Sequence, residues 1–275
     1  MIDKKGIIER LKSIEEKIFL AKVLDKAIKA EKSRTITYTD FLDPYQQKLV
    51  TKVFNGSKKT DFLGDVEYCF DGGFEDAERK IIIFDGSFNL DKRWENDNKL
   101  QSPIRFLNIK LKADAYLSHR NYLGSILGLG IKREKIGDIV VKENSAIVVV
   151  LKDVAEYILY NLVKIGSIGA QVEYCGSEDI ICNGPTIKFK EIKCTVPSLR
   201  LDCIISQGFG ISRSKVGELF TANRVFLNWE PERKLSTQLK EGDVVSVKGK
   251  GRIILSEVGN ITRKDRIAVV IKKLI

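Results

Sequence analysis

The residues of this 275-residue chain best suited to chemistry lie between positions 200 and 252, and the chemistry is anion recognition. Ser212, Arg213, Ser214 and Lys215 open an amphipathic helix. Hydroxyls, unpaired backbone N–H groups and two cations converge there on whatever anion sits before the helix end. Arg200, Arg224, Lys248, Lys250 and Arg252 supply further phosphate partners from neighbouring helix-end and turn positions. Two short helices carry this array. Leu201, Ile204 and Ile205 mark the buried stripe of the first, and Val216, Leu219 and Phe220 that of the second. Small strands follow, rich in Lys and Arg. The pattern describes a surface for RNA.

Charge bookkeeping points the same way. Of the formal +10, residues 198–275 carry +7, from 15 basic and 8 acidic residues. Residues 1–80 carry +1 and residues 81–197 carry +2. A concentrated excess of this kind is the footprint expected of polyanion binding. Hydrophobic content of 43% with 31% charged residues is that of a globular protein. No apolar run approaches membrane-spanning length and the N-terminus lacks the apolar core of a secretion signal, so no membrane is expected and the cytoplasm is the expected location. Five cysteines without a C-x-x-C pair, and a single histidine, argue against a zinc site and for reduced thiols. No metal, cofactor or small-molecule substrate is expected.

The elements that must hold this surface form an α+β chain. The first 30 or so residues read as one long amphipathic helix with a stripe of Ile7, Leu11, Ile14, Ile18, Ala21, Leu24 and Ile28. Asp43, Pro44 and Gln46 have the spacing of a capped helix start, and Asn55-Gly56 ends that helix. Residues 64–70 and 81–85 read as strands around a short helix after Gly72-Gly73. The polar stretch 86–102 reads as a domain boundary.

Beyond it comes a strand (104–112), then a helix capped by Asp114 that runs to about Leu127. Strands at 137–141 and 145–151 follow, then a helix capped by Asp153 with Ala155, Ile158, Leu159, Leu162 and Val163 inward, and a strand at 169–175. That order, βαββαβ, is the split βαβ arrangement shared by RRM domains. The third strand, SAIVVVL, offers no aromatic ring, so base stacking on the sheet in the usual RRM way is not expected. A strand around residues 187–196 leads into the last domain.

The segment from 200 to 252 resembles the S4 domain, an RNA-binding module. Arg200-Leu201-Asp202, Ser212 to Lys215, Arg224-Val225, Asn228, Gly242-Asp243 and Gly249 to Arg252 carry the resemblance, in the family's order. Trp229 departs from it, standing where many members have glycine. With TDFLDPYQ (39–46), DGGFEDAERK (71–80) and HRNYLGSILGLGIKREKIGDI (119–139), the whole chain resembles the YlmH family of bacterial S4-domain proteins. The resemblance implies an N-terminal α/β domain (1–98), an RRM-like domain (99–180) and a C-terminal S4 domain (186–275). It also implies rRNA of the large ribosomal subunit, tRNA and the ribosome as partners, in ribosome-associated quality control, and for some members a link to cell division.

His119 falls on a stripe with Ala115, Leu123 and Ile126, which makes it a partly buried structural residue; no nucleophile or paired carboxylate stands at catalytic spacing from it. Together with Arg120 and Arg133 it is a further candidate for an RNA phosphate. Gly128-Leu129-Gly130 lacks the third glycine of a dinucleotide loop, Arg133 standing there. Gly72-Gly73 suits a turn as well as a phosphate cradle. Asp202 suits a helix surface or a salt bridge. The expected function is non-enzymatic RNA binding; the alternatives are an rRNA-modifying enzyme targeted by its S4 domain and an adaptor whose main partner is protein.

Overall fold

A computed structural model describes residues 4–9, 11, 13–55, 66–87, 102–181 and 189–274. They fall into two compact units, Met1–Pro185 and Thr186–Ile275.

In the first unit the N-terminal helix is broken in two, α1 (Lys4–Glu9) and α2 (Ile14–Ser33), because the chain turns extended at Ser13 (φ −87°, ψ 137°). The buried stripe of α2 matches the expected one only in part: Leu24 is shared and Ile28 packs at its edge, but the face is rotated. Leu20, Val23, Leu24, Ala27 and Ala30 are buried, whereas Ile14 and Ile18 are 75% and 54% exposed. Several i, i+3, i+4 sets were available on so apolar a helix, and docking on the first sheet selected this one. That sheet has the order β1-β3-β2, from β1 (Ile36–Tyr38), β2 (Glu67–Asp71) and β3 (Ile81–Asp85). The connection from β2 to β3 contains no helix, contrary to expectation. Bends and turns replace it, since the strands are antiparallel neighbours and Asp71 Oδ1 accepts from the N–H of Gly73 at 2.8 Å. The start of α3 (Pro44–Asn55) is the expected capping box: Gln46 N donates to Asp43 Oδ1 at 2.8 Å and Asp43 N to Gln46 Oε1 at 3.0 Å.

Gly86 shows how closely α2 meets the sheet. A Cβ there would stand 2.0 Å from the carbonyl oxygen of Ala30. Gly86→Ala is therefore expected to cost about 1–3 kcal/mol by forcing a backbone shift, read as a lowered thermal midpoint.

The second sheet of this unit has the order β5-β6-β4-β8-β7. Its strands are β4 (Ile104–Leu111), β5 (Ile136–Val141), β6 (Ser145–Leu151), β7 (Lys164–Ile165) and β8 (Ile168–Cys175). With α4 (His119–Leu127) between β4 and β5, and α5 (Lys152–Asn161) after β6, the order is that of a split βαβ. Both helix starts differ from the sequence reading. Ser118, not Asp114, caps α4, its N–H and Oγ bonding Asn121 Oδ1 at 3.0 and 2.6 Å, while Asp114 accepts from Asn144 instead. Asp153 lies inside the first turn of α5 and pairs with Lys135 at 2.7 Å. α5 stops at Asn161, which leaves Val163 65% exposed. A four-residue helix, α6 (Glu178–Ile181), follows β8.

One face of this sheet is filled by α4 and α5, with Leu107, Ile109, Val148, Val150, Tyr122 and Ile158 fully buried. The opposite face is buried too: Ile147, Val149 and Leu151 pack with Phe41, Ile81 and Ile83 from the first sheet's side. The missing aromatics of SAIVVVL thus have a structural counterpart, since the strand is buried on both faces.

The second unit is one six-stranded sheet, β11-β10-β12-β13-β14-β9, with two helices on one face. It comprises β9 (Phe189–Val196), α7 (Leu201–Phe209), α8 (Arg213–Thr221), β10 (Val225–Leu227), β11 (Glu230–Pro231), β12 (Val244–Val247), β13 (Gly251–Ile261) and β14 (Ile267–Leu274). The stripes expected for α7 and α8 are buried against Val225, Val245, Val247, Ile253 and Ile271.

Candidate nucleic-acid interface

The second unit places five exposed cations, Arg213, Lys215, Arg224, Lys248 and Lys250, at the two ends of α8. α7 ends at Gly210, whose φ of +62° turns the chain, and Ser206 Oγ fastens that turn to the carbonyl of Ile211 at 2.7 Å. Ser212 then caps α8, accepting from the N–H of Lys215 at 3.4 Å and lying 2.9 Å from Ser214 Oγ. Ser212, Arg213, Ser214 and Lys215 are all exposed. Arg213 nonetheless leans back, its Nη2 2.9 Å from the Sγ of buried Cys203. It lines a cavity of about 220 Å³ with Ser206, Gln207 and Arg266.

About 13 Å away, nine residues at 1.5 Å each, the other end of α8 leads to Arg224. The carbonyl of Arg224 accepts from Lys248 N at 2.9 Å, which joins this corner to the β12–β13 turn. Gly249 and Gly251, at φ +83° and +98°, give that turn its shape and leave Lys248 and Lys250 exposed. Lys248 Nζ stands 5.1 Å from the centre of the Phe226 ring, and the Arg252 guanidinium 5.9 Å from that of Trp229. Neither aromatic stands at a spacing that marks it as a site residue in the sequence. The departure at Trp229 was the one signal that could have found them.

Arg200 and Asp202 form a two-pronged ion pair, Nε–Oδ1 at 3.0 Å and Nη2–Oδ2 at 3.1 Å. Asp202 is buried rather than on the helix surface. Burial raises its pKa, but the Arg200 guanidinium and the N–H of Cys203 outweigh it and hold the carboxyl below its usual value. A carboxylate with a depressed folded pKa stabilises the fold above its unfolded pKa, about 4, and that contribution is lost as pH falls through the folded value. The gap in thermal midpoint between Asp202→Asn and the parent is therefore expected at pH 7 and expected to close in strong acid. A gap independent of pH would show that the charge is not what matters there.

The remaining candidates lie in the first unit. His119 is not a buried stripe residue: it is exposed, as the first residue of α4, because the helix begins later than its sequence suggests. Tyr122 and Ile126 are the buried pair. Arg120 is exposed. Arg133 is half-buried, and its Nη1 donates to the carbonyls of Ile136 at 2.5 Å and Gly137 at 3.3 Å. Burial, together with the neighbouring Arg79 cation, pushes its pKa down to about 10. Arg79, unnoticed in the sequence, donates to the carbonyls of Ile136 and Phe41 at 3.1 and 3.0 Å. Asp138 accepts from the N–H groups of Glu78 and Arg79 at 2.6 and 3.2 Å. The motifs at 71–80 and 119–139 thus meet in one hydrogen-bonded knot.

Among the described residues, no three His, Cys, Asp or Glu side chains group to hold a metal ion, and no helix is long and apolar enough to cross a membrane.

Three segments of the chain match family models. Residues 15–85 match the family model "YlmH, N-terminal", and residues 103–179 match "Putative RNA-binding domain in YlmH". Residues 190–274 match "Mitochondrial transcription rescue factor 1, C-terminal domain". A relative from Bacillus subtilis (strain 168), "Ribosome-associated protein quality control protein P2", is 32% identical over 255 residues, covering 92% of this chain and 93% of its own. A solved structure, "Cell division protein ylmH from Streptococcus pneumoniae", shares 22% identity at a TM-score of 0.47, covering 62% of this chain and 96% of that one. On the 32% identity across 92% of its length and the two family models, the chain belongs to the YlmH family.

Proposed function

We propose that the chain is a non-enzymatic factor that binds structured rRNA and tRNA on the large ribosomal subunit, in quality control of stalled chains. The observation that carries this is the array of exposed cations at both ends of α8, on the unit that holds most of the net charge. The name of the B. subtilis relative supports the ribosomal setting. In this reading residues 186–275 are an S4-type module whose contacts are Arg200, Ser212, Arg213, Ser214, Lys215, Arg224, Lys248, Lys250 and Arg252. His119, Arg120 and Arg133 form a lesser set, Arg133 through its remaining donors. The three matched segments support a division into an N-terminal domain (1–98), an RRM-like domain (99–180) and the S4 domain (186–275), working in the cytoplasm.

S4-type recognition of shape and backbone suits a junction of structured RNA. Co-sedimentation with separated ribosomal subunits tests the proposal. The protein is expected to pellet with the large subunit, and the bound RNA to carry no nucleotide mass absent from the input. Recovery with the small subunit alone, or in the supernatant, would overturn it.

A further inference from the structure

We propose that Trp229 is a base-stacking platform for unpaired nucleotides, seated beside the phosphate-binding cations of the C-terminal unit; this rests on the RNA reading above. Leu227 and Glu230 are paired across β10 and β11, so Asn228 and Trp229 are the two central residues of a tight hairpin turn. Both have positive φ, +48° and +67°. Such a turn favours Asn followed by Gly, because a side chain at the second position strains the backbone. Asn228 fits: it tolerates the left-handed region, and its amide bonds Asp243 Oδ1 at 2.8 Å and the N–H of Val244 at 2.9 Å. Trp229 does not fit on backbone grounds, nor does its polar group explain its presence. The indole Nε1 is buried and has no hydrogen-bond partner. A residue held against its conformational preference with an unsatisfied donor marks a place where something other than stability is served.

The surroundings say what. Val225, Val245, Val247 and Ile253 point into the core beneath α7 and α8, so by alternation Phe226, Ser246 and Arg252 form a cross-strand row on the opposite face. Along that row, one cation stands over each of two rings: Lys248 over Phe226 and Arg252 over Trp229. Rings paired with cations suit unpaired nucleotides, a base stacking on the face the cation leaves and its phosphate meeting the cation. A helix of paired RNA has no free base faces to offer, so the site discriminates loops and junctions from duplex. An acidic peptide would use the cations but gain nothing from the indole face.

Trp229 can report on itself. The chain has two tryptophans, and Trp94→Phe leaves Trp229 as the only one. The full chain carrying that change is titrated with an RNA hairpin bearing a single-stranded loop, with the blunt duplex of its stem, and with poly-glutamate. Quenching of Trp229 by the looped RNA alone is expected. In parallel, Trp229→Gly relieves the turn, so its thermal midpoint is expected to hold or rise while affinity for the looped RNA falls about tenfold. Trp229→Phe should keep most of the affinity.

Unchanged looped-RNA affinity in Trp229→Gly, or unchanged fluorescence at saturation, would make Trp229 a packing residue and leave RNA binding to the cations. A lowered midpoint with equal loss for loop and duplex would overturn the platform as well, as would quenching by poly-glutamate alone. Failure of the parent to bind either RNA would sink the RNA reading itself.

Discussion

Replacing Lys215, Lys248 and Lys250 together by alanine is expected to flatten the log–log salt dependence of RNA binding by roughly 2.1 to 2.7 units, at about 0.7 to 0.9 per phosphate. All three are exposed and lie at opposite ends of α8. None contributes its side chain to the apolar core, and surface changes of this kind usually alter stability by less than about 0.5 kcal/mol each. Affinity for unrelated RNA sequences should fall together, because phosphate contacts position a protein without reading bases. The matched control is Lys22→Ala, Lys26→Ala and Lys29→Ala on the exposed side of α2, which removes equal charge from the other unit. Equal loss from both triple mutants would mean that net charge drives binding and that the α8 array is not a site. Arg213 is left out deliberately, since its guanidinium also bonds the Cys203 thiol and its removal would mix local packing with charge.

The positions of these cations in the fold, as distinct from their role, follow from the sequence alone. Lys and Arg stand at turn and helix-end positions flanking two apolar stripes of 3.6-residue period, both of them buried. The α2 stripe is legible only in part. Apolar residues occupy so many positions from Ile14 to Ala30 that periodicity allows more than one face, and only the docked sheet decides between them. Caps divide similarly. Asp43 and Gln46 satisfy each other, so spacing sufficed, whereas Asp114 and Asp153 are drawn to Asn144 and Lys135, partners distant in sequence. The Lys248–Phe226 and Arg252–Trp229 contacts and the Arg213–Cys203 bond were illegible for that reason also. Each depends on strand register or helix packing that single-residue patterns do not encode.

The burial of β6 on both faces leads to the second large effect. Phe41 is 1% exposed and sits between the two sheets of the first unit, with Ile81, Ile83, Ile147 and Val149 around it. Its backbone is fixed on both sides, the N–H donating to the carbonyl of Glu134 at 2.8 Å and the carbonyl accepting from Arg79. Truncation to alanine cannot be relieved by moving the chain, so Phe41→Ala is expected to cost about 3–5 kcal/mol. That is a large share of the roughly 5–15 kcal/mol that holds a typical domain. Hydrogen exchange should show protection falling in β3 and β6 while residues 189–274 keep theirs. Gly137 supplies the check on cause. A Cβ there would lie 2.9 Å from the Phe41 ring, so Gly137→Ala alone should destabilise, and much less so once the ring is gone. The double mutant should thus be more stable than the two single losses predict, by about 0.5–3 kcal/mol. Strict additivity would show that Phe41 and Gly137 do not touch, and that the face of β6 opposite α4 and α5 is closed by other residues.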